Sequence, residues 1–437
     1  VRRVAFGGCL ALALVGLAAS ASAAARPSLT LAQAQREAIE NHPQIKAAVF
    51  DTAAVREAVN IARAAYAPQA YGSAVSAFAP PETRVSAYLN GITDPTVLQR
   101  TGTGVVVSQY VTDFGRTADL VRSYELATRA QAERGQLTRL SVLLDVTQSY
   151  FEVLRARALL RVAVETVRER QILLRQVTIL QRAGLRSTLD VSIAQRDAAA
   201  AKQLIVEAQA RRNDGMAALS EAMGSTVEID YHLADMRTLP AIPKSIGPLI
   251  DEMLAINPEL AAARSQAASA QSNAEAVRKE SSPVVTAYGY FGGTPIRAAN
   301  QEINEAYSAA GVALTIPITN GGALKAAARQ AEDQALSLGQ VSQDVENQLL
   351  RDTRTAYQDV EAARSNIDVT DEMVRTARQS YDLTAARYRI GLNSIVDLSE
   401  AQLAVTQAEI AQTNAIYDYI EQGAALEFVT GVLAPGV

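Results

Sequence analysis

The chain has 437 residues, of which 49% are hydrophobic and 20% charged, with a formal net charge of −5 and a single cysteine. The acidic balance argues against nucleic acid as a partner, and one cysteine cannot build a disulfide framework. The two histidines, His42 and His232, lie far apart in sequence, and no nucleotide loop or catalytic constellation accompanies them, so the residues predict no enzyme, no metal and no cofactor.

Residues 1–23 read as an export signal. Arg2 and Arg3 supply the charged start, residues 10–17 an apolar run too short to span a bilayer, and Ala21-Ser22-Ala23 a small-residue cleavage site. Cys9 precedes most of that run, which argues against a lipid anchor. The exported chain is expected to carry no cysteine and, without the two arginines, a net charge of −7 (−5 − 2).

Thr30 is a candidate N-cap for a short helix that Pro43 interrupts. An alanine-rich helix is predicted over 44–66, stopping near Pro68. The period then changes. Residues 69–78 and 102–111 read as strands of about ten residues, the length that crosses a bilayer when tilted, separated by turn signals at Pro80, Pro81, Asn90-Gly91 and Asp94-Pro95. A hairpin alone is marginal in water, and no other strands lie nearby, so a membrane setting is preferred over a soluble one.

From 117 to 182 there is no proline and only Gly135 as glycine. A helix of that length is a rod on the order of 100 Å. Two heptad stripes run along it: Leu137, Leu140, Leu144, Thr147, Phe151, Leu154, Ala158; and Leu143, Val146, Tyr150, Val153, Arg157, Leu160, Val164, Val167, Gln171, Leu174. Two seams predict a neighbour on each side, as in a tube of helices. A Gly184 turn and a return helix over 188–223 follow. Residues 225–248, with Pro240, Pro243, Gly247 and Pro248, form a linker in which Val227-Glu228-Ile229 is a candidate short strand.

The remainder repeats this order: strands over 284–291 and 309–318 around a loop at Gly292-Gly293-Thr294-Pro295, a long helix over 323–390, a Gly391 turn, and a helix over 395–428. At least one stripe recurs, from Val360, Ala363, Ile367, Thr370 and Val374 to Ala377, Tyr381, Thr384 and Tyr388. Gly184, Ser187 and Asp190 match Gly391, Ser394 and Asp397 at an offset of 207 (391 − 184), as Tyr150 matches Tyr357 and Gly224 matches Gly431. Pro43 and Pro68 match Pro258 and Pro283 at 215 (258 − 43), so the first copy holds eight extra residues (215 − 207). The chain is thus expected to be a tandem repeat, with units 24–224 and 249–431 and a short tail, 432–437.

Four strands cannot close a barrel, and an open edge in lipid leaves backbone groups unpaired at several kcal/mol each. Oligomerisation must close it. A dimer gives eight strands and a trimer twelve; an eight-stranded barrel is nearly filled by its own side chains, so a conduit favours the trimer.

The twofold order of helix, hairpin, long helix, Gly-turn and helix resembles the TolC-type outer-membrane factors over nearly the whole exported chain. The resemblance rests also on Arg182-Ala183-Gly184-Leu185 with Asp190-Val191, on Arg387-Tyr388-Arg389-Ile390-Gly391-Leu392 with Asp397-Leu398, and on Asp113-Phe114-Gly115-Arg116. It implies an α+β membrane protein: a homotrimer with a twelve-strand outer-membrane barrel continuous with a periplasmic twelve-helix α-barrel of coiled-coil helices. It implies a passive exit duct without enzymatic activity, served by a periplasmic adaptor and an RND, ABC or MFS inner-membrane transporter, in the outer membrane of a Gram-negative cell. Small-molecule efflux is the preferred cargo and type I protein secretion the alternative. A periplasmic coiled-coil adaptor without bilayer strands is the competing class.

By the same resemblance Gly184, Leu185, Ser187, Gly391, Leu392 and Ser394 would dock the adaptor at the periplasmic tip, although glycine ending a helix and serine starting the next are also ordinary capping chemistry. Asp397 and Glu400, one helical turn apart, would line the constricted entrance, with Tyr388 and Asp190 in the closed-state network. Where the family's gate carries a bridging arginine this chain has Asn393, leaving Arg389, Arg186 and Arg387 as candidates for that role.

Overall fold

A computed structural model describes residues 28–77, 100–227, 230–235, 239–241, 244–296 and 306–434. The expected export signal, the turn signals at 80–95, Glu228-Ile229 and residues 435–437 lie outside the described residues.

The chain opens with a two-residue strand β1 (Ser28–Leu29) and helix α1 (Leu31–Asn41). Thr30 caps α1 as expected, in a reciprocal box with Gln33. Pro43 does not merely break the helix. It is the first residue of α2 (Pro43–Arg63), where its missing N–H is no loss, and His42 Nδ1 accepts from the Gln44 N–H at 3.3 Å. Strands β2 (Gln69–Ala77) and β3 (Arg100–Thr112) lead to α3 (Arg116–Arg182), and α4 (Thr188–Ala222) returns. Then β4 (His232–Leu233) pairs in parallel with β1; it lies just beyond the strand expected at 227–229. Helices α5 (Gly247–Ile256) and α6 (Pro258–Arg278) precede β5 (Val284–Ile296), β6 (Ala306–Thr315), α7 (Ala323–Arg389) and α8 (Ile395–Thr430).

The four long strands form one antiparallel sheet in the order β2-β3-β5-β6. The second hairpin corrects the sequence reading. Gly292 to Pro295 is not a loop but part of β5: Gly292 pairs with Tyr307, and Gly293 with Thr103 and Ala306. Cross-strand pairing on both sides holds extended a segment whose local composition signals a turn. The last strand correspondingly begins and ends three residues earlier than expected.

Residues facing each other across strands share a face. On one face lie Val105, Val107, Phe291, Val312 and Leu314, all exposed. On the other lie Tyr71, Val106, Tyr110, Thr286, Tyr288 and Tyr290. Tyr288 covers Gly311, where an added Cβ would come within 2.8 Å of its hydroxyl. One face is apolar and the other rich in tyrosine hydroxyls. No helix among the described residues is long and apolar enough to cross a membrane.

The Asp113-Phe114-Gly115-Arg116 phrase turns strand into helix. Phe114 and Gly115 take left-handed φ values of 55° and 89°, while the Asp113 carboxylate accepts the N–H groups of Gly115 and Thr117 at 3.1 and 2.7 Å. Both α3 and α7 run 67 residues, about 100 Å. Near the strands α3 lies between α2 and α6, through Arg63–Glu125 and Ser123–Ser269 contacts. Farther on it lies between α4 and α8, through Gly215 against Val153 and Thr166 against Thr406. Phe151 and Leu154 of the first stripe and Val146, Tyr150 and Val153 of the second are buried, but beyond Arg157 the second stripe is corrected: the buried line is Leu159, Ala163, Thr166, Arg170, Leu173 and Val177, and Val164 is exposed. Helix α7 packs on α6 and then on α8, through Arg264–Glu346 and Arg378–Glu409.

The main core gathers α1, α3, α4 and α8 around Val146, Tyr150, Phe151, Leu154, Leu219 and Tyr419. Tyr150 donates its hydroxyl to the carbonyls of Leu29 and Ala234 at 3.0 and 2.7 Å, fastening β1 and β4 to α3. Gly224 and Gly431 end α4 and α8 at left-handed φ values of 73° and 84°, pressed on the N-caps of α2 and α6: an added Cβ would lie 2.8 Å from His42 Cα or 3.1 Å from Asn257 Cα.

The tip and core glycines should differ in tolerance. Gly184→Ala, with open space around it, is expected to cost about 1–2 kcal/mol for left-handed backbone alone. Gly224→Ala adds a backbone collision and should cost clearly more, read as a lower unfolding midpoint of the purified full-length chain in denaturant. Equal midpoints would contradict this packing.

Candidate functional site

Both Gly-turns sit at the far end of the long helices, and their local chemistry is the same. Gly184 and Gly391 take φ of 75° and 82°, and Leu185 and Leu392 N–H groups reach back to the carbonyls of Leu180 and Arg387 at 2.9 Å, closing each helix in a Schellman-type turn. Ser187 and Ser394 cap the next helices in reciprocal boxes. The Ser187 N–H donates to Asp190 at 2.9 Å and the Ser394 N–H to Asp397 at 2.8 Å, while each Asp N–H donates to the Ser hydroxyl at 3.1 Å. Leu185 and Leu392 project into solvent, 68% and 66% exposed, so each turn presents an apolar residue at its apex.

Asp190 and Asp397 are thus first of all capping residues. The Ser394 backbone hydrogen bond, then its hydroxyl, hold the Asp397 carboxyl below the usual aspartate range. Its charge therefore persists to lower pH than a free carboxylate's, and the cap weakens only as pH falls through that depressed value.

Asp397 and Glu400 are both exposed on α8, whereas Ile395, Leu398, Ser399 and Gln402 on the opposite side are buried. The acidic pair lies on the free face, as its spacing predicts. At the matching position of α4, Ile193 packs on a tip cluster of Leu173, Val177, Tyr388, Ile395 and Leu398. The first copy packs this position on the cluster where the second copy exposes a carboxylate.

Tyr388 is buried in that cluster at 5% exposure, and its hydroxyl has no hydrogen-bond partner. Burial raises its pKa, with Asp190 adding to the rise and Arg186 opposing it. Arg186 lies over the ring at 4.3 Å and donates to the Tyr388 carbonyl at 3.0 Å. A cation–π contact of this kind is worth about 0.5–2 kcal/mol. Of the three candidates, Arg186 is the one that crosses between the two turns. Arg387 stays within its own, donating to Asn393 Oδ1 at 2.8 Å.

Above the tip, the sequence reading missed a buried polar node. Arg170 of α3, 5% exposed, meets Asp197 of α4 at 3.3 Å and the Ser399 carbonyl of α8 at 3.4 Å, and the Ser399 hydroxyl donates to Asp197. One turn away, Gln402 donates to Glu169 at 3.1 Å. Arg170 lies on neither stripe read from the sequence, so nothing there signalled its burial. Among the described residues, no group of three or more His, Cys, Asp or Glu side chains could hold a metal ion.

The chain is 22% identical over 439 residues to outer membrane protein TolC of Salmonella enteritidis, covering 96% of this chain and 85% of that one. It is 27% identical over 422 residues to the alkaline protease secretion protein AprF of Pseudomonas aeruginosa, covering 91% and 83%. The solved structure of CusC superposes with a TM-score of 0.81 at 17% identity, covering 92% of this chain and 91% of that one, which shows the same fold. The outer membrane efflux protein description fits residues 34–225 and 249–432, and the chain belongs to that family.

Proposed function

We propose that three copies of this chain form one passive exit duct of the outer membrane, fed by an inner-membrane transporter through a periplasmic adaptor. The observation that carries this reading is the open sheet. β2 and β6 are edges, one sheet face is apolar, and lipid tolerates no unpaired edge. Pairing β6 of one copy with β2 of the next makes twelve strands and, from the same arc of helices, a twelve-helix tube. Exposed apolar residues at both flanks support such neighbours, among them Phe50 and Ile61 on α2 and Leu336 and Leu383 on α7. The chain is two copies of one unit, 24–224 and 249–431, joined by 225–248 and followed by a tail at 432–437.

The two turns lie at the periplasmic mouth. Gly184, Leu185, Ser187, Gly391, Leu392 and Ser394 form the adaptor-docking rim, its exposed leucines offering apolar contact. Asp397 and Glu400 become two rings of three carboxylates at the constriction, and Tyr388 and Asp190 belong to the closed gate. Arg186, lying over Tyr388, takes the place left by Asn393. The family description favours small-molecule efflux, and the likeness to a protease secretion protein makes type I secretion the second reading.

Purified full-length protein should run as a trimer and conduct ions in planar bilayers; a soluble, non-conducting monomer would overturn the duct. Deleting the gene should raise sensitivity to toxic small molecules. An unchanged sensitivity profile with loss of a secreted protein would move the cargo to type I secretion.

Asp397→Asn with Glu400→Gln is expected to weaken cation selectivity and block by multivalent cations. Unaltered reversal potentials and block would remove these residues from the constriction.

A further inference from the structure

We propose that the Arg170–Asp197–Ser399 node is the latch that positions the gate end of α8, a role resting on the reading of Asp397 and Glu400 as the constriction. Helix α8 carries that acidic pair on one face, and Ser399 lies on the opposite face between them in sequence. Any displacement of the carboxylates away from the duct axis must move Ser399 with them. Ser399 is held from two helices at once: its carbonyl by Arg170 of α3 and its hydroxyl by Asp197 of α4. Nothing else described at the tip joins α3, α4 and α8 through one charged group.

The seam around the node differs from the rest of the α3–α8 contact. In the main core Tyr150, Phe151 and Leu154 share an apolar contact with Tyr419 and Ile420, and Arg155 pairs with Asp418 and Glu421 at 2.9 and 2.7 Å. Toward the tip the contact turns polar: Thr166 faces Thr406 at 3.5 Å, Gln402 meets Glu169, and then comes the node. Only the small tip cluster lies beyond it. An apolar seam resists water, whereas a polar seam accepts it, because each group exchanges its partner for a water molecule. The end of α8 in the large core, where ion pairs only flank an extensive apolar contact, is therefore fixed, and the node is the part that releases.

A buried ion pair adds little net stability over an apolar pair but fixes register, because a displaced partner leaves a buried charge unpaired. Arg170 and Asp197 are 5% and 10% exposed as side chains, and Arg196 adds a second contact to Asp197 at 2.6 Å. That is the behaviour required of a latch: firm in one register, with only the small tip cluster beyond it to separate on opening. Arg170 touches no cargo and is a positioning residue.

The test uses the full-length trimer in planar bilayers, in a chain whose one cysteine, Cys9, lies in the expected export signal. In Asp197→Cys with Ser399→Cys, a disulfide would replace the hydrogen bond between α4 and α8. Reduced, this variant lacks the latch and should show an open fraction about tenfold above the unsubstituted trimer, the effect of losing roughly one charge-assisted hydrogen bond. Oxidised, it should return to the unsubstituted level, and reductant should reverse this in the same bilayer. Ser399→Ala, which keeps the Arg170–Asp197 pair, should raise the open fraction in the same direction and guards against a folding defect in the cysteine variant. Equal conductance of verified oxidised and reduced forms, with Ser399→Ala at the unsubstituted level, would overturn the latch. The gate reading fails separately, if the latch responds but neutralising Asp397 and Glu400 leaves selectivity unchanged.

Discussion

Every backbone group of a strand in lipid must find a partner within protein, and this chain supplies a sheet with two free edges. The rest of the architecture answers to that constraint. In the proposed duct the four-stranded sheet is one arc of a closed wall, and the helices attached to it form an arc as well. That is why α3 and α7 are rods and why α3 has two packing faces rather than the single stripe of a globular helix. It lies between α2 and α6 near the strands, then between α4 and α8 farther on. The change of partners halfway along is made at the equator, where the main core, the β1–β4 pair and the Tyr150 hydroxyl hold both sets of helices.

The two turns at the far end follow from local chemistry. A helix of this length ends with unsatisfied carbonyls, and its successor starts with unsatisfied N–H groups. Glycine at left-handed φ settles the first need, and a Ser–Asp box settles the second. In the proposed duct the same aspartates would supply charge at the mouth. Capping holds Asp397 in its ionised form, so structural and functional readings of that residue coincide, and its substitution has to be judged by selectivity as well as stability.

Features fixed by residues three or four apart were legible in the sequence: the Thr30, Ser187 and Ser394 caps, the Gly184 and Gly391 turns, and the stripes of α3 as far as Arg157. Features that depend on residues brought together from afar were not. The Gly292 to Pro295 stretch looks like a turn until β3 and β6 are paired on either side. Arg170, Asp197 and Ser399 are separated by 27 and 202 positions, and no periodicity links them. Arg186 could be named as a candidate to replace the arginine missing at Asn393, but only the approach of the two turns shows that it covers Tyr388 while Arg387 remains with Asn393.

Where the two halves differ, the differences sort by which way each helix faces. Ile193 joins the tip cluster because the corresponding face of α4 turns toward α3 and α8; Glu400 stays exposed because that face of α8 is free. Arg186 leaves its own turn for Tyr388, and Asn393 is held within its own turn by Arg387. Contacts cross between the pairs in both directions, from Arg186 to the Tyr388 carbonyl and from Ser399 and Gln402 to Asp197 and Glu169, while α8 keeps Asp397 and Glu400 on a free face. On the latch proposal, the large core around Tyr150 and Tyr419 is the fixed end of α8 and the polar node its release.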